Sequence, residues 1–248
     1  MNQLFVASSN ISNDRITITG ADVNHVVNVL RMKRGERTSV VCRDNGLTYG
    51  CVIAELGPDR VECVIEDVQS ESRELPIEVT IYQGLPKSDK LEFVIQKAVE
   101  MGAYRIVPVA MKRSVVKFDA AKASKKNARW NAIAESAASQ SKRNVIPEVS
   151  DLKTLKEAVS DASGLDAILL PYELADGIDE SRRILNELKE SGVGSVGVFI
   201  GPEGGFDETE VRELKEAGAS IITLGNRILR TETAPIAVLA WLTYVFEN

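Results

Sequence analysis

Residues 195–207 read Ser-Val-Gly-Val-Phe-Ile-Gly-Pro-Glu-Gly-Gly-Phe-Asp, and this stretch decides the fold. An apolar run bounded by turn residues, Val196 to Ile200, has the length and β-branched content of a buried strand. It passes at once into Gly201-Pro202-Glu203-Gly204-Gly205-Phe206, where glycine and proline fix a turn whose backbone a ligand can approach closely. Asp207 and Glu210 have the spacing of a capping box, so the loop ends at a helix N-terminus with free amides. Strand, glycine loop and helix in that order belong to an α/β sheet. A plain tight turn is the alternative for the loop itself.

Working outward, strands and helices alternate from about residue 73 to the C-terminus, which predicts a mostly parallel sheet. The strands are RIVPVAM, DAILLPYE, SVGVFIG and SIITLG. The helices start near Asp89, Trp130, Leu152, Ser181, Glu208 and Pro235. Asp89 with Glu92 reads as a capping box for the first, and Leu91, Val94, Ile95 and Ala98 form its buried stripe. The last helix, PIAVLAWLTYVF, is apolar almost all round and is expected to be buried on more than one side, either in the core or also in a homodimer interface.

Open α/β sheets bind ligands at the carboxyl ends of their strands. Three such ends feed small or polar loops: Pro171-Tyr172-Glu173, Gly201 to Phe206, and Gly225 to Thr233. Buried backbone in the long third loop needs hydrogen-bond partners, which a ligand can supply. Arg227, Arg230 and Glu232 are its charges; a structural ion pair is the alternative for them. Gly192-Val-Gly-Ser-Val-Gly197 spells GxGxxG, but it follows a helix and precedes a strand, the reverse of a dinucleotide site. Gly192 reads instead as a helix C-cap.

Before residue 72 the pattern differs. LFVAS, RITIT, TSVVCRD, LTYGCVIAEL and RVECVIEDV are short strands, with one helix from about Asp22 to Met32, as in a small β barrel or curled sheet. The charged SESRELP stretch is the expected boundary, giving domains 1–72 and 73–248. Cys42, Cys51 and Cys63 are odd in number and never CxxC, so they read as buried strand thiols. A single histidine leaves no His-rich metal pattern, and no metal is expected.

The net charge of −6 looks wrong for a nucleic-acid partner. Between Arg105 and Arg143, however, ten basic residues face only Asp119 and Glu135, a local balance of +8. Arg31, Lys33, Arg34, Arg37 and Arg43 form a second cluster. Such runs are either solvated faces or phosphate-binding surfaces. No apolar run approaches the roughly 18 residues of a membrane span, and MNQLFVASSN carries no charged-then-apolar leader, so a cytoplasmic protein is expected.

Together HVVNVLRMKRGE, LPKSDKLEFVIQKAVEMG, IGPEGGF and LGNRILRTETA resemble the bacterial 16S ribosomal RNA uridine N3-methyltransferase family of the SPOUT superfamily, in that family's order and over nearly the whole chain. The resemblance implies a PUA-like β-barrel N-terminal domain, a C-terminal α/β knot methyltransferase domain and a homodimer. It implies S-adenosylmethionine held by Leu170 and Pro171, by Ile200, Gly201, Pro202, Glu203 and Gly204, and by Leu224, Gly225, Ile228, Leu229, Arg230, Thr231, Thr233 and Ala234. Arg230, with Glu232 and Thr231 beside it, is the candidate catalytic group.

The family pattern further implies RNA docking by His25, Arg31, Lys33, Arg34 and Arg37, and by Arg113, Lys117, Arg129 and Arg143, with 16S ribosomal RNA or the small subunit as partner. The chain departs from the pattern at Gln3-Leu4-Phe5, where the family has Arg before Phe-Phe, and at Ser139, where it has Glu. Two other functions fit the same sequence: a knotted methyltransferase for transfer RNA or a 2'-hydroxyl, and a non-catalytic RNA-binding assembly factor.

Overall fold

The computed structural model describes residues 3–69, 71–116, 120–175 and 177–247. Two compact units result: one holds the described residues of Met1–Glu74 with Ala138–Ile146, the other those of Leu75–Ala137 and Pro147–Asn248.

The first unit is a six-stranded sheet of β1 (Gln3–Val6), β2 (Ile11–Ser12), β3 (Arg15–Thr19), β4 (Arg37–Cys42), β5 (Thr48–Leu56) and β6 (Arg60–Gln69). Its spatial order is β1-β4-β5-β6-β3-β2, and only the β1–β4 pair is parallel. Alternation puts Ile16, Ile18, Val61 and Cys63 in the core while Glu62 stays outside. Two register shifts in the β5–β6 pair bend the sheet. All three cysteines are buried free thiols, as expected.

The helix expected over 22–32 is shorter and irregular. α1 (Ala21–Asn24) runs into a π turn over His25–Val29, closed by the Leu30 amide donating to the His25 carbonyl at 2.8 Å. Val26, Val27 and Val29 are β-branched and crowd a regular helical turn. Arg31, at φ 53°, then ends the helical course.

The second unit begins with β7 (Glu78–Gly84), α2 (Lys90–Glu100), β8 (Arg105–Ala110) and α3 (Ala120–Ser141), whose residues from Ala138 on are counted in the first unit. It continues with β9 (Glu148–Val149), β10 (Lys153–Thr154), α4 (Leu155–Ala162), β11 (Ala167–Pro171) and α5 (Ile178–Glu190). β12 (Ser195–Ile200), α6 (Glu208–Glu216), β13 (Ser220–Ile222) and α7 (Ala234–Phe246) complete it. The strand order is β10-β8-β7-β12-β11-β13, with β9 on β8, and every pairing is parallel. This is the α/β sheet that the alternation predicts. At its centre the Tyr82 and Phe199 rings stack, centroids 4.4 Å apart. Glycine at 197 leaves room for the Tyr82 ring, where a Cβ would come within 3.1 Å of it.

The stripe Leu91, Val94, Ile95 and Ala98 is buried as expected. The Asp89 cap is not formed: its side chain caps nothing, and Glu92 instead takes the Arg129 guanidinium at 2.7 Å. The box at Asp207 and Glu210 is present, and Thr154 with Glu157 forms another, unforeseen, at the start of α4. Gly192, at φ 69°, caps α5 as read.

Within the chain α7 packs against both α2 and α5, and of its residues only Ala240 and Tyr244 are exposed. Val238, Leu239 and Leu242 are buried, Trp241 and Phe246 are half-buried, and Tyr244 is 77% exposed. The strip at Ala240 and Tyr244 is what a single chain leaves open on this helix.

Candidate cofactor cleft

β12, β11 and β13 are neighbours in the sheet and end at one edge, so their three following loops meet there. The second loop is rigid for local reasons. The Gly205 amide donates to the Pro202 carbonyl at 2.9 Å, and Gly205 has φ 68°. Asp207 accepts from the Thr209 amide, and the Glu210 carboxylate accepts from the amides of both Asp207 and Lys112, each at 2.8 Å. Neighbours press on both sides. A Cβ on Gly84 would lie 2.7 Å from Pro202, and one on Gly204 would lie 3.0 Å from the Arg113 Cβ.

The third loop leaves the edge strand β13 and returns across the ends of β11 and β12. Thr223 holds its start, its hydroxyl donating to the Gly225 carbonyl at 3.2 Å, and Gly225 sits at φ 106°. Buried Thr231 holds its end: its hydroxyl donates to the Gly201 carbonyl at 2.7 Å and accepts from Gln83 Nε2 at 2.9 Å. On the first loop, the Tyr172 amide donates to the Ile222 carbonyl at 2.9 Å.

Between the loops lies a cleft of about 560 Å³, inside the range of roughly 300–1,000 Å³ usual for small-molecule sites. Of the expected cofactor residues it brings together Pro171, Ile200, Gly201, Pro202, Glu203, Gly204, Leu224, Gly225, Ile228, Leu229, Arg230, Thr231 and Ala234. Leu170 does not line it; it is fully buried in the core beneath Pro171. Thr233 does not line it either. Phe206, the end of the Gly201 to Phe206 loop, lines it as read, whereas Lys90 and Thr223 were not foreseen. Lys90 follows the LPKSD segment at the end of β7, a strand end on the same sheet edge, and that position was its signal.

Charge in the cleft is nearly balanced. Lys90 Nζ lies 3.2 Å from both Glu203 Oε1 and Glu232 Oε2, although the two carboxylates stand on different loops. Glu203 also accepts from the Lys87 amide at 3.0 Å. Partial burial raises the Glu203 pKa, but the Lys87 amide and the Lys90 ammonium outweigh it and hold the carboxyl below its ordinary value. The Glu232 side chain is 16% exposed, whereas Arg230 is 83% exposed with its guanidinium 4.0 Å from Glu232. Arg230 therefore projects from the rim. The donor set suits S-adenosylmethionine: glycine amides and carbonyls, apolar Ile228 and Leu229, and charges of both signs, with no cluster able to hold a metal ion among the described residues.

The basic residues divide. Arg31, Lys33, Arg34 and Arg37 are exposed on the first unit, with Arg37 paired to Glu66 at 2.9 Å, and His25 is half-buried. In the second unit Arg113 is exposed, 3.3 Å from the Gly204 carbonyl, and Arg129 holds Glu92. Lys117 lies outside the described residues. Arg143 must be corrected: its side chain is buried and ion-paired with Glu74, so it has no free face for a phosphate. Gln3, where the family has Arg, is buried as well and donates to the Arg143 carbonyl.

Fold and site together define a class: a two-unit α/β protein with a small-molecule cleft on the carboxyl ends of parallel strands in one unit and exposed basic residues on the other, a β unit. Comparison with known proteins makes it particular. The family model for the RNA methyltransferase domain matches residues 73–243, and that for the RNA methyltransferase PUA domain matches 18–66. The chain belongs to this RNA methyltransferase family. It is 40% identical over 234 residues to ribosomal RNA small subunit methyltransferase E of Bacillus subtilis, covering 93% of this chain and 90% of that one. The Synechocystis protein of the same name is 30% identical, over 99% of this chain and 78% of its own length. The crystal structure of the Neisseria gonorrhoeae enzyme bound to S-adenosylmethionine superposes with a TM-score of 0.85 at 30% identity, over 99% of this chain and 98% of that chain. The expected PUA-like unit and α/β knot methyltransferase unit are thus borne out.

Proposed function

We propose that the protein transfers a methyl group from S-adenosylmethionine to ring N3 of a uridine in the decoding region of 16S ribosomal RNA. The observation that carries this reading is the convergence of three glycine-bearing strand ends on one cleft, in a chain whose 30%-identical relative binds that cofactor. The bound sulfonium supplies an activated methyl group; the chain has to bind, align and help remove the N3 proton.

The roles assigned are these. The loop backbones at Gly201 to Gly204 and Leu224 to Gly225 hold the cofactor by main-chain hydrogen bonds, with Ile228 and Leu229 against its apolar parts. A paired uridine hides N3, so the target base must be unpaired or flipped out, at a cost of a few kcal/mol. Arg230, on the rim and largely in solvent, is placed to hold that uridine or its phosphate and to stabilise the anion left when N3 loses its proton. Thr231 fixes the backbone from which Arg230 projects. Arg31, Lys33, Arg34 and Arg37 of the first unit, with Arg113 and Arg129 of the second, position RNA through its phosphates rather than read its sequence. The strip of α7 left open in one chain, at Ala240 and Tyr244, supports a homodimer. No described helix is long and apolar enough to cross a membrane, which accords with the cytoplasmic site expected for a ribosome-modifying enzyme.

The test is methyl transfer from labelled S-adenosylmethionine to 16S RNA and to small subunits lacking the modification, with the product nucleoside identified by mass. N3-methyluridine at one position supports the reading. A methylated 2'-hydroxyl, or transfer to transfer RNA alone, refutes it.

A further inference from the structure

The cleft contains one cation that belongs to none of its three loops. Lys90 enters from the first turn of α2 and lies 3.2 Å from Glu203 on the second loop and 3.2 Å from Glu232 on the third. Glu232 is largely withdrawn from water, its side chain 16% exposed, and its oxygen facing Lys90 is shut off from solvent and without a hydrogen bond, so the ion pair with Lys90 answers its charge; Glu203 is more open, its side chain 24% exposed. Two carboxylates brought together in that setting repel each other unless a cation sits between them. The other groups facing them are few. The Lys87 amide meets Glu203, and the Arg230 guanidinium, 4.0 Å from Glu232, is almost wholly in solvent and weakly held.

We infer that Lys90 is the positioning residue of the cleft: it clamps the second loop to the third through Glu203 and Glu232, and so holds the Arg230-Thr231-Glu232 segment in place for methyl transfer. The inference rests on the proposed function of the same cleft and adds a residue and a task to it. Lys90 need not touch the reacting atoms. Its effect passes through Glu232, which adjoins Arg230 in the chain. The Thr231 hydroxyl makes a second tie between the same two loops, so loss of Lys90 should loosen the rim of the cleft without unfolding the unit.

The experiment compares wild type, Lys90→Met, Lys90→Arg and the double variant Lys90→Met/Glu232→Gln. Readouts are calorimetric binding of S-adenosylmethionine, single-turnover methyl transfer to 16S RNA and thermal stability. Lys90→Met strips the cation while keeping the stem. It is expected to fold, to bind cofactor about 10-fold more weakly and to transfer more slowly. Lys90→Arg, still able to bridge both, should restore most of the activity. Lys90→Met/Glu232→Gln should bind cofactor more tightly than Lys90→Met, because one of the two repelling charges is gone. A Lys90→Met protein with wild-type affinity and rate overturns the inference, as does failure of Lys90→Arg to recover when the thermal stability of both is normal. If wild type itself binds no S-adenosylmethionine, the functional reading fails, an outcome distinct from either of these.

Discussion

The Thr231 hydroxyl donates to the carbonyl of Gly201 at 2.7 Å while accepting from Gln83 at 2.9 Å, so one buried side chain ties the third cleft loop to the second and to the end of β7. Thr231→Val keeps the shape and deletes the hydroxyl, leaving a buried carbonyl and a buried amide hydrogen without their partner. Such groups cost about 1–3 kcal/mol, and in a protein of this size each kcal/mol lowers Tm by roughly 2–4 °C. Thermal unfolding of Thr231→Val and Thr231→Ser checks it: the serine variant should recover most of the loss. Equal Tm values for Thr231→Val and wild type would show the tie to be dispensable.

Gly84 is where β7 must pass beneath the glycine-proline loop. A methyl there would come within 2.7 Å of the Pro202 nitrogen and Cδ and 2.8 Å of Met111 Sδ. Methionine can move aside, but the Pro202 backbone cannot without shifting the cleft. Gly84→Ala is therefore expected to cost about 1–3 kcal/mol by overpacking and to weaken cofactor binding as well. Gly164→Ala, whose new methyl would meet nothing nearer than 3.8 Å, is the matched control and should be close to neutral. Chemical denaturation with calorimetry separates the two effects.

Asp161 on α4 collects the Tyr82 hydroxyl at 2.6 Å together with Arg105 and Lys153. Burial raises its pKa, but hydrogen bonds from Lys153, Tyr82 and Arg105 outweigh burial and leave it below the ordinary carboxylate value. With a folded pKa under the unfolded one, the stabilisation is fully present above the unfolded value of about 4 and is lost as pH falls through the folded value. Asp161→Asn should cost about 1–2 kcal/mol at pH 7, allowing for partial solvent screening. The gap to wild type should close below about pH 4. A gap independent of pH in denaturant titrations would assign the loss to packing instead.

What the sequence made legible was local. Gly201 to Phe206, its capping box and the strand before it each depend on residues a few positions apart, and the structure has them as read. Contacts between distant residues were not legible. Arg143 read as one more cation in a basic run because its partner Glu74 lies 69 positions away. Glu92 read as a capping partner because nothing near it announced Arg129. Lys90 stood unremarked inside LPKSDKLEFVIQKAVEMG; only the meeting of two loops, each more than a hundred residues on, gives it two carboxylates. For α7 the amino acids gave a correct hydrophobic pattern, and one chain leaves only the strip at Ala240 and Tyr244 open.

Arg31 and Arg34 are exposed on the first unit, and among the described residues neither has an ion-pair partner. Phosphate contacts of this kind release counterions, and each one lost reduces the salt slope by about 0.7 for single strands. Arg31→Glu/Arg34→Glu should weaken RNA binding across sequences, flatten the slope by roughly 1.4 and leave cofactor affinity unchanged. Filter binding at several salt concentrations checks this. An unchanged slope would place the RNA elsewhere.

Arg230 is the sharpest case because position and chemistry can be tested apart. Its side chain is 83% exposed and makes one long contact, 4.0 Å to Glu232, so the fold gains little from it. The residue after it is anchored through Thr231, which fixes the backbone at the rim whatever side chain stands at 230. Arg230→Ala should therefore keep Tm within about 0.5 kcal/mol equivalent of wild type, as expected for surface changes. Calorimetry should find cofactor affinity within a few-fold of wild type. Methyl transfer is a different matter: once bound RNA covers the rim and shuts out water, a guanidinium stabilising a developing anion is worth about 10²–10³ in rate, comparable to one oxyanion-hole donor. Arg230→Lys keeps the charge but loses the planar fork, and should recover only part of it. Single-turnover rates at saturating RNA and cofactor separate the rate effect from binding. If Arg230→Ala turns over normally while binding both ligands, charge stabilisation at N3 has to come from another group, and Arg230 is reduced to a solvated rim residue.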